Sequence, residues 1–381
     1  MESKRAIITI TDNVDPTSME YNEFVLYRAS SFPWEEHYIF SLYRVENSFH
    51  QEAKTFTNVR LFDAENSYLK LRHKLASVLR DINRQHIPLL VHFNNPRPAL
   101  CAHILNLLFL RNIPTLYTIH SSFKFYSLGS KILTLANFFL AKHLNFVSHA
   151  GFASFPRLLT KIKNKKLHII PNGVDIDRIN NFLALHKKSS SKQLHNNTLV
   201  SKTASFKLIN IGRLVEAKNQ SWLIRLMSQL PHSVTLTIIG DGYLRNDLEK
   251  IASAVGRHRF RFTGAIPREA VYEELLNADL FVSCSTREGM PIAVLEAMAL
   301  SRPTILSDID PHREIGVHGT SAGVTPLNVD EWIRRIMMFM SLSRDDCERI
   351  GEENRKIVEK HFSLKKMHVQ YTELYNKLWR L

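Results

Sequence analysis

Short apolar runs alternate along this chain with longer stretches whose apolar positions recur every three or four residues. In the second half the runs are Phe206 to Ile211, Ser233 to Ile239, Arg259 to Thr263, Leu280 to Cys284 and Pro303 to Ser307. They are separated by helical stretches near 219–229, 244–255, 268–277 and 291–300. Brief apolar runs bounded by Gly, Pro, Asn and Asp suit buried strands, and their alternation with helices predicts βαβ units and a parallel, doubly wound sheet. The first half repeats the theme less regularly, with strand candidates at Arg5 to Ile10, Glu36 to Leu42, Leu89 to His92, Thr115 to Ile119, Leu144 to Ser148 and Leu167 to Ile170. Lys187 to Ser205 is rich in Ser, Lys and Asn and reads as a linker. The pattern therefore predicts two α/β domains, 1–186 and 206–363, joined by the linker 187–205, with a terminal helix at 364–381.

Length agrees, since 381 residues exceed what a single hydrophobic core usually organises. Cys101, Cys284 and Cys347 show no paired or metal-type spacing, which favours a reducing, cytoplasmic compartment. Met1 to Arg5 leads into a first strand rather than a leader, and the apolar runs Ile104 to Leu110 and Ile132 to Ala141 are shorter than the ~20 residues a membrane-spanning helix needs.

Charge adds an asymmetry. Residues 1–200 hold 25 Lys and Arg against 14 Asp and Glu, while residues 201–381 hold 25 against 22. Between 124 and 192 there are twelve Lys or Arg, and Asp175 and Asp177 are the acids. Beside the apolar stretch Phe123 to Leu140, that surplus suits docking on anionic lipid; a buried helix with a solvated lysine face is the plainer alternative. Nucleic acid is not expected as a partner, because Lys161 to Lys166 lacks interleaved aromatic residues and no helix-turn-helix or zinc-finger spacing occurs.

Candidate chemistry concentrates in Ser285 to Ala299, where a strand, a Gly-containing turn and a helix carry Glu288 and Glu296. Eight positions separate the two carboxylates, which lets both line one crevice. With Pro291 in the first helical turn, the N–H groups of Gly289, Met290 and Ile292 suit an anion. Phosphate on N–H groups and diols on carboxylates is the recognition a nucleotide-sugar requires. Arg213 and Lys218, five positions apart after the strand ending at Ile211, add two cations suited to a diphosphate leaving group. Alternatively, Glu288 complements the helix dipole, Glu296 is solvated and the cations are surface charge.

The segment resembles the E-x7-E motif of retaining family 4 glycosyltransferases with the GT-B fold. Lys207 to Asn219, Thr235 to Leu244, Phe262-Thr263-Gly264, Ala278-Asp279 and His168 to Asp175 resemble further elements of that family, so the similarity runs from about Leu167 to Glu314. It implies GT-B architecture, with two Rossmann-like doubly wound parallel-sheet domains facing a central cleft. The first would bind the acceptor and the second the nucleotide-sugar, and the terminal helix would pack back on the first. It also implies retaining transfer of a sugar, with UDP-sugars favoured, to a hydroxyl of a saccharide or lipid-linked saccharide in cell-surface polysaccharide biosynthesis. The nucleotide-sugar is then a co-substrate; no cofactor or metal is expected.

By the same resemblance, Glu288 holds donor-sugar hydroxyls and Glu296 the ribose diol. Gly212, Gly240, Gly264, Gly289, Met290, Pro291 and Ile292 shape the nucleotide site, and Arg213 and Lys218 hold the diphosphate. His120, after the strand Leu116 to Ile119, contacts the donor sugar or orients the reacting groups, with His149 a weaker candidate. Asp175-Ile176-Asp177 and Asp308-Ile309-Asp310 read as turn or cap carboxylates rather than metal ligands.

Gly240-Asp241-Gly242 has Arg245 where a third glycine would complete a dinucleotide fingerprint, which argues against NAD, and no P-loop sequence occurs. The first 128 residues contain no glycine, so the loop after the first strand, Asp12 to Ser18, cannot be a Gly-rich phosphate loop. That departure keeps a non-catalytic, GT-B-like binding subunit open as the alternative function.

Overall fold

The computed structural model describes residues 4–14, 19–45, 47–105, 110, 112–193, 205–319 and 323–380. They form two compact units, Met1–Asn172 with Lys365–Leu381, and Gly173–Leu364.

The first unit is a seven-stranded parallel sheet of β1 (Arg5–Val14), β2 (Glu35–Val45), β3 (Val59–Asp63), β4 (Leu89–Phe93), β5 (Thr115–Ile119), β6 (His143–Phe146) and β7 (Leu167–Ile169). Its spatial order is 3-2-1-4-5-6-7, with Ile10 of β1 opposite Phe93 of β4. β4 and β5 are buried throughout, as expected of interior strands covered on both faces. The helix Tyr68–Arg84 covers one face because Leu71, Leu75, Val78, Leu79 and Ile82 recur at helical spacing, and the Ser67 hydroxyl caps it by accepting from the Lys70 N–H at 3.2 Å.

Lys365–Leu381 belongs to this unit because the helix Leu364–Trp379 inserts both apolar and polar groups into it. Tyr371, Leu374, Tyr375 and Leu378 are buried. The Tyr375 hydroxyl lies 2.6 Å from Nδ1 of His92, Asn145 donates to the Tyr371 hydroxyl at 2.8 Å, and Arg28 donates to Thr372 at 2.7 Å while pairing with Glu35 through two hydrogen bonds. Buried polar groups demand partners, so these bonds specify where the helix sits.

The second unit is a six-stranded parallel sheet of β8 (Phe206–Ile211), β9 (Val234–Ile239), β10 (Phe260–Gly264), β11 (Leu280–Ser283), β12 (Thr304–Ser307) and β13 (Val324–Thr325), ordered 10-9-8-11-12-13. The two sheets are Rossmann-like and doubly wound, as the alternating pattern predicts. β3 and β13 escaped that pattern. β3 is a partly exposed edge strand and β13 has two residues, so neither makes a clear apolar run.

The division of the chain differs from the sequence reading. The helix Ile176–Gln193 runs into the stretch read as linker, and the units part at Asn172. Packing explains this: Phe182 meets Tyr272 edge-on with ring centres 5.4 Å apart, and Arg178 pairs with Glu269 at 2.6 Å, both within the second unit. The remainder of the stretch, 194–204, lies outside the described residues.

Candidate functional site

In the second unit the strand order reverses between β8 and β11, and the turns that follow these strands carry most of the candidate residues. A doubly wound sheet opens its crevice at that reversal, beyond the carboxyl ends of the strands. Three turns are drawn together there. Gly212 donates to the Ile239 carbonyl at 2.9 Å, Leu214 to that of Asp241 at 2.9 Å, and Gly240 to that of Gly264 at 2.9 Å. Glycine is required at Gly240, where φ is +130° and a Cβ would lie 2.1 Å from the Gly212 carbonyl oxygen.

The turn after β8 is fastened to the turn after β11. Thr286 donates its N–H to the Ala217 carbonyl at 2.8 Å, and the Asn219 amide donates to that of Cys284 at 3.2 Å. This brings Nζ of Lys218 to 2.6 Å from Oε1 of Glu288, which also accepts from the Ser285 hydroxyl at 2.6 Å. The Glu288 side chain is 9% exposed. Burial alone would push its carboxyl up, but the Lys218 ammonium and the Ser285 hydroxyl outweigh burial and hold it below the usual carboxylate range. Glu288 is therefore ionised at neutral pH, and Lys218 is aimed by it. Arg213 is exposed and has no ion pair among the described residues.

Behind the pair stands His312, fully buried, with Nδ1 2.8 Å from the Ser307 carbonyl. Burial lowers its pKa and keeps the ring neutral, and Nε2 has no partner among the described residues. The Ser307 hydroxyl in turn donates to the Ser285 carbonyl at 2.5 Å, so β12 braces the turn that carries Glu288.

The helix after this turn spans Ile292–Ala299, with Pro291 at the cap position rather than in the first turn. Val294 donates to the Pro291 carbonyl at 3.1 Å. The N–H groups of Gly289, Met290 and Ile292 have no hydrogen-bond partner among the described residues. An eight-residue helix start with free N–H groups beside two cations is a chemically suitable anion cradle.

Glu296 projects from the same helix and is 6% exposed. Its Oε1 is held by Nε of Arg268 at 3.0 Å and by the Tyr272 hydroxyl at 3.3 Å; Oε2 has no partner among the described residues. Sequence reasoning missed Arg268 and Tyr272, although their spacing of four along a helix starting at Arg268 is a usable signal for two side chains on one face. It also missed Ser285 and His312, which local patterning does not mark.

The remaining candidates separate. His120 belongs to the first unit, after β5, with Nε2 3.4 Å from Oδ1 of Asn94. Burial pushes its imidazole down to about 4, which makes it a neutral hydrogen-bonding group at pH 7. His149 opens the short helix His149–Ala153 and is exposed. Asp308 and Asp310 both bind Arg313, at 2.6 and 3.0 Å; Asp310 lies in the first turn of the helix Asp310–Gly316, whose cap position is Ile309, so neither carboxylate caps it. Among the described residues no helix is long and apolar enough to cross a membrane.

Residues 36–178 match the family model described as Glycosyltransferase Family 4, and residues 191–357 the model described as Glycosyl transferases group 1. An uncharacterized glycosyltransferase of Methanocaldococcus jannaschii is 30% identical over 187 residues, covering 48% of this chain and 44% of its own length. The UDP-Gal:alpha-D-GlcNAc-diphosphoundecaprenol alpha-1,3-galactosyltransferase of Escherichia coli is 32% identical over 151 residues, covering 38% of this chain and 37% of its own. The chain thus spans less than half the length of these curated relatives. Among solved structures, Anabaena HepE in complex with UDP-glucose superposes with a TM-score of 0.75 at 18% identity, covering 98% of this chain and 99% of the other. At that identity the likeness speaks to the fold.

Proposed function

We propose that this chain, whose two halves match the family 4 and group 1 glycosyltransferase models, moves a sugar from a UDP-sugar to a hydroxyl of a saccharide or lipid-linked saccharide in cell-surface polysaccharide biosynthesis, with retention at the anomeric carbon and without a metal. The observation that carries this reading is the Lys218–Glu288 pair at 2.6 Å, set beside Arg213 and the free N–H groups of Gly289, Met290 and Ile292. The ammonium of Lys218 has three donors, so it can keep Glu288 and still meet a phosphate oxygen. Arg213 meets the same diphosphate without breaking an ion pair. Glu288 accepts from donor-sugar hydroxyls, and Oε2 of Glu296 accepts from the ribose.

The bond between the anomeric carbon and the diphosphate oxygen breaks, and its electron pair leaves with the diphosphate. The acceptor oxygen bonds to the anomeric carbon from the same face, and its proton passes to the departing phosphate oxygen. The cations stabilise charge that builds only as the bond breaks, which is where binding accelerates reaction. His120, neutral and with Nε2 toward Asn94, has Nδ1 to accept from a sugar hydroxyl bound in the first unit.

The protein is proposed to work at the cytoplasmic face of a membrane. Leu128, Ile132 and Phe139 on the helix Leu128–Leu140, and Leu158 and Ile162 on the helix Arg157–Ile162, are each more than half exposed. Lys124, Arg157, Lys161 and Lys166 surround them with exposed positive charge, the combination that suits anionic headgroups.

Calorimetry of the intact chain with UDP, GDP, ADP and CMP tests the donor site. UDP is expected to bind, and Arg213→Ala combined with Lys218→Ala to abolish binding. Binding of no nucleotide to folded protein would favour the binding-subunit alternative. Flotation with phosphatidylglycerol vesicles tests the membrane face: Ile132→Glu should weaken binding, and equal recovery with phosphatidylcholine would sink it.

A further inference from the structure

The first unit has its own reversal of strand order, between β1 and β4, and the residues just beyond it are polar and incompletely paired. Register places them together. Ile10 lies opposite Phe93, Asn94 donates its N–H to the Ile10 carbonyl at 3.0 Å, and the Asp12 N–H donates to Oδ1 of Asn95 at 2.9 Å. The Thr11 hydroxyl also donates to Oδ1 of Asn95, at 2.8 Å. Asn95 is therefore a structural clamp. Asp12 and Asn94 are not satisfied in the same way.

Asn94 is 4% exposed; its Oδ1 lies 3.4 Å from Nε2 of His120, while its Nδ2 has no partner among the described residues. Oδ1 of Asp12 is likewise buried without a partner. A buried polar atom left unpaired costs roughly 1–3 kcal/mol, and native structures keep few of them without a use. Here an unmet acceptor and an unmet donor stand at adjacent strand ends, at the place where doubly wound sheets receive ligands.

Their chemistry narrows the occupant. An anion is disfavoured by Asp12, and among the described residues no cluster of three or more His, Cys, Asp or Glu offers the donors a metal needs. A group that donates to a carboxylate while accepting from an amide is a hydroxyl. We propose that Asp12 and Asn94 form a hydroxyl subsite in the first unit, taking one ring hydroxyl of the acceptor sugar, with His120 fixing the orientation of the Asn94 amide. This assignment rests on the glycosyltransferase reading above. It also accounts for the glycine-free loop: side chains supply the recognition here, so close backbone approach is not needed.

Burial raises the Asp12 carboxyl to about 6, moderated by Arg97 on the helix Pro96–Leu105. Tyr117 of β5 is a further titratable group that senses its charge. The carboxylate is the form that accepts from a sugar hydroxyl, so a bound sugar should loosen as pH falls through that value.

Saturation-transfer NMR on the full chain provides the test, with octyl glucoside, octyl galactoside and octyl N-acetylglucosaminide as probes. At pH 7.5 at least one probe is expected to bind, Asp12→Asn to weaken it at least tenfold on the order of a charge-assisted hydrogen bond, and the wild-type affinity to fall below about pH 6 while that of D12N stays flat. Asn94→Ser should weaken the same probe and serves if D12N does not fold. No binding by the wild type, or unchanged affinity and pH dependence in both variants, overturns the subsite. UDP calorimetry on the same samples separates the two ideas: lost glycoside binding with intact UDP binding supports the subsite, whereas absent UDP binding in the wild type rejects the donor site and leaves the glycoside result to stand alone.

Discussion

The two sheets share a strand order around their reversal point yet dress it in opposite ways. Beyond β8, β9 and β11 the second unit packs backbone against backbone, with Gly212 and Gly240 in contact and an ion pair already formed between Lys218 and Glu288. Beyond β1, β4 and β5 the first unit presents side chains, Asp12, Asn94 and the neutral ring of His120, and no glycine. Under the functions proposed for the two ends, the difference follows from the ligand each would take. N–H groups recognise phosphate, and only glycine lets the turns that carry them come close. Sugar hydroxyls are matched by side-chain carboxylates and amides, which need no such approach.

The largest effect should come from Gly240→Val. A Cβ 2.1 Å from a carbonyl oxygen at φ +130° forces the three turns apart, and the second unit should lose at least about 4 kcal/mol in urea unfolding. The first unit has no position where a Cβ is so excluded at its reversal point. A second unit that keeps its stability in G240V would break the contrast.

Lys218→Ala should follow. It strips the partner from a carboxylate that is 9% exposed, at about 3–5 kcal/mol, and removes a cation from the leaving group, lowering kcat by about 100-fold or more. Lys218→Ala with Glu288→Gln should recover much of the stability and none of the activity. Denaturation of both variants alongside UDP release separates the two contributions.

Acid should distinguish the units next. Burial pushes His37 down to about 3 and His103 to about 4, and holds His92 well below the ordinary histidine range, three such groups in the first unit set against the lowered His312 of the second. A histidine whose folded pKa lies below its unfolded value contributes full stability above about 6.5 and loses it as pH falls toward the folded pKa. For one group near 4, that amounts to about 3 kcal/mol by pH 4. Glu288 has a lowered pKa, so its contribution persists above the unfolded carboxylate range near 4.5 and fades only below it. Hydrogen exchange between pH 7 and 4.5 should therefore show β1, β2 and β4 losing protection before β8 and β11. Simultaneous loss would contradict the assignment of the neutral histidines.

Tyr272→Phe should have the smallest effect. It removes a 3.3 Å hydrogen bond to a carboxylate that Arg268 still holds, so UDP affinity should change by no more than about fivefold, under about 1 kcal/mol. A much larger loss would mean that Tyr272, rather than Arg268, positions Glu296.

Legibility differed with the range of the interactions. Thr115–Ile119 and Phe206–Ile211 were readable to the residue, because each is a short, mostly apolar run bounded by turn residues. The edge strand Val59–Asp63 was not, since half its pattern faces water. Gln193 ends a helix whose last turns are Lys- and Ser-rich, and composition there suggested a linker although packing against Tyr272 supports a helix. Within the site, Glu288, Glu296, Arg213 and Lys218 stood out because each sits in a compact strand–turn segment. Arg268, His312 and Asn94 did not, because their meaning depends on partners distant in the chain.

What the sequence determined by itself is therefore local: the order of strands and helices, the two parallel sheets, and a phosphate-type turn with its carboxylates, all set by periodicity and turn chemistry within some fifteen residues. The tertiary structure decided which charges meet. It paired Lys218 with Glu288 across 70 positions, gave Glu296 its Arg268 and Tyr272, returned the last helix to the first unit through Tyr371 and Tyr375, and left Asp12 and Asn94 unmet side by side. Burial and desolvation set the value of a polar group, and neither exists until distant segments have packed together.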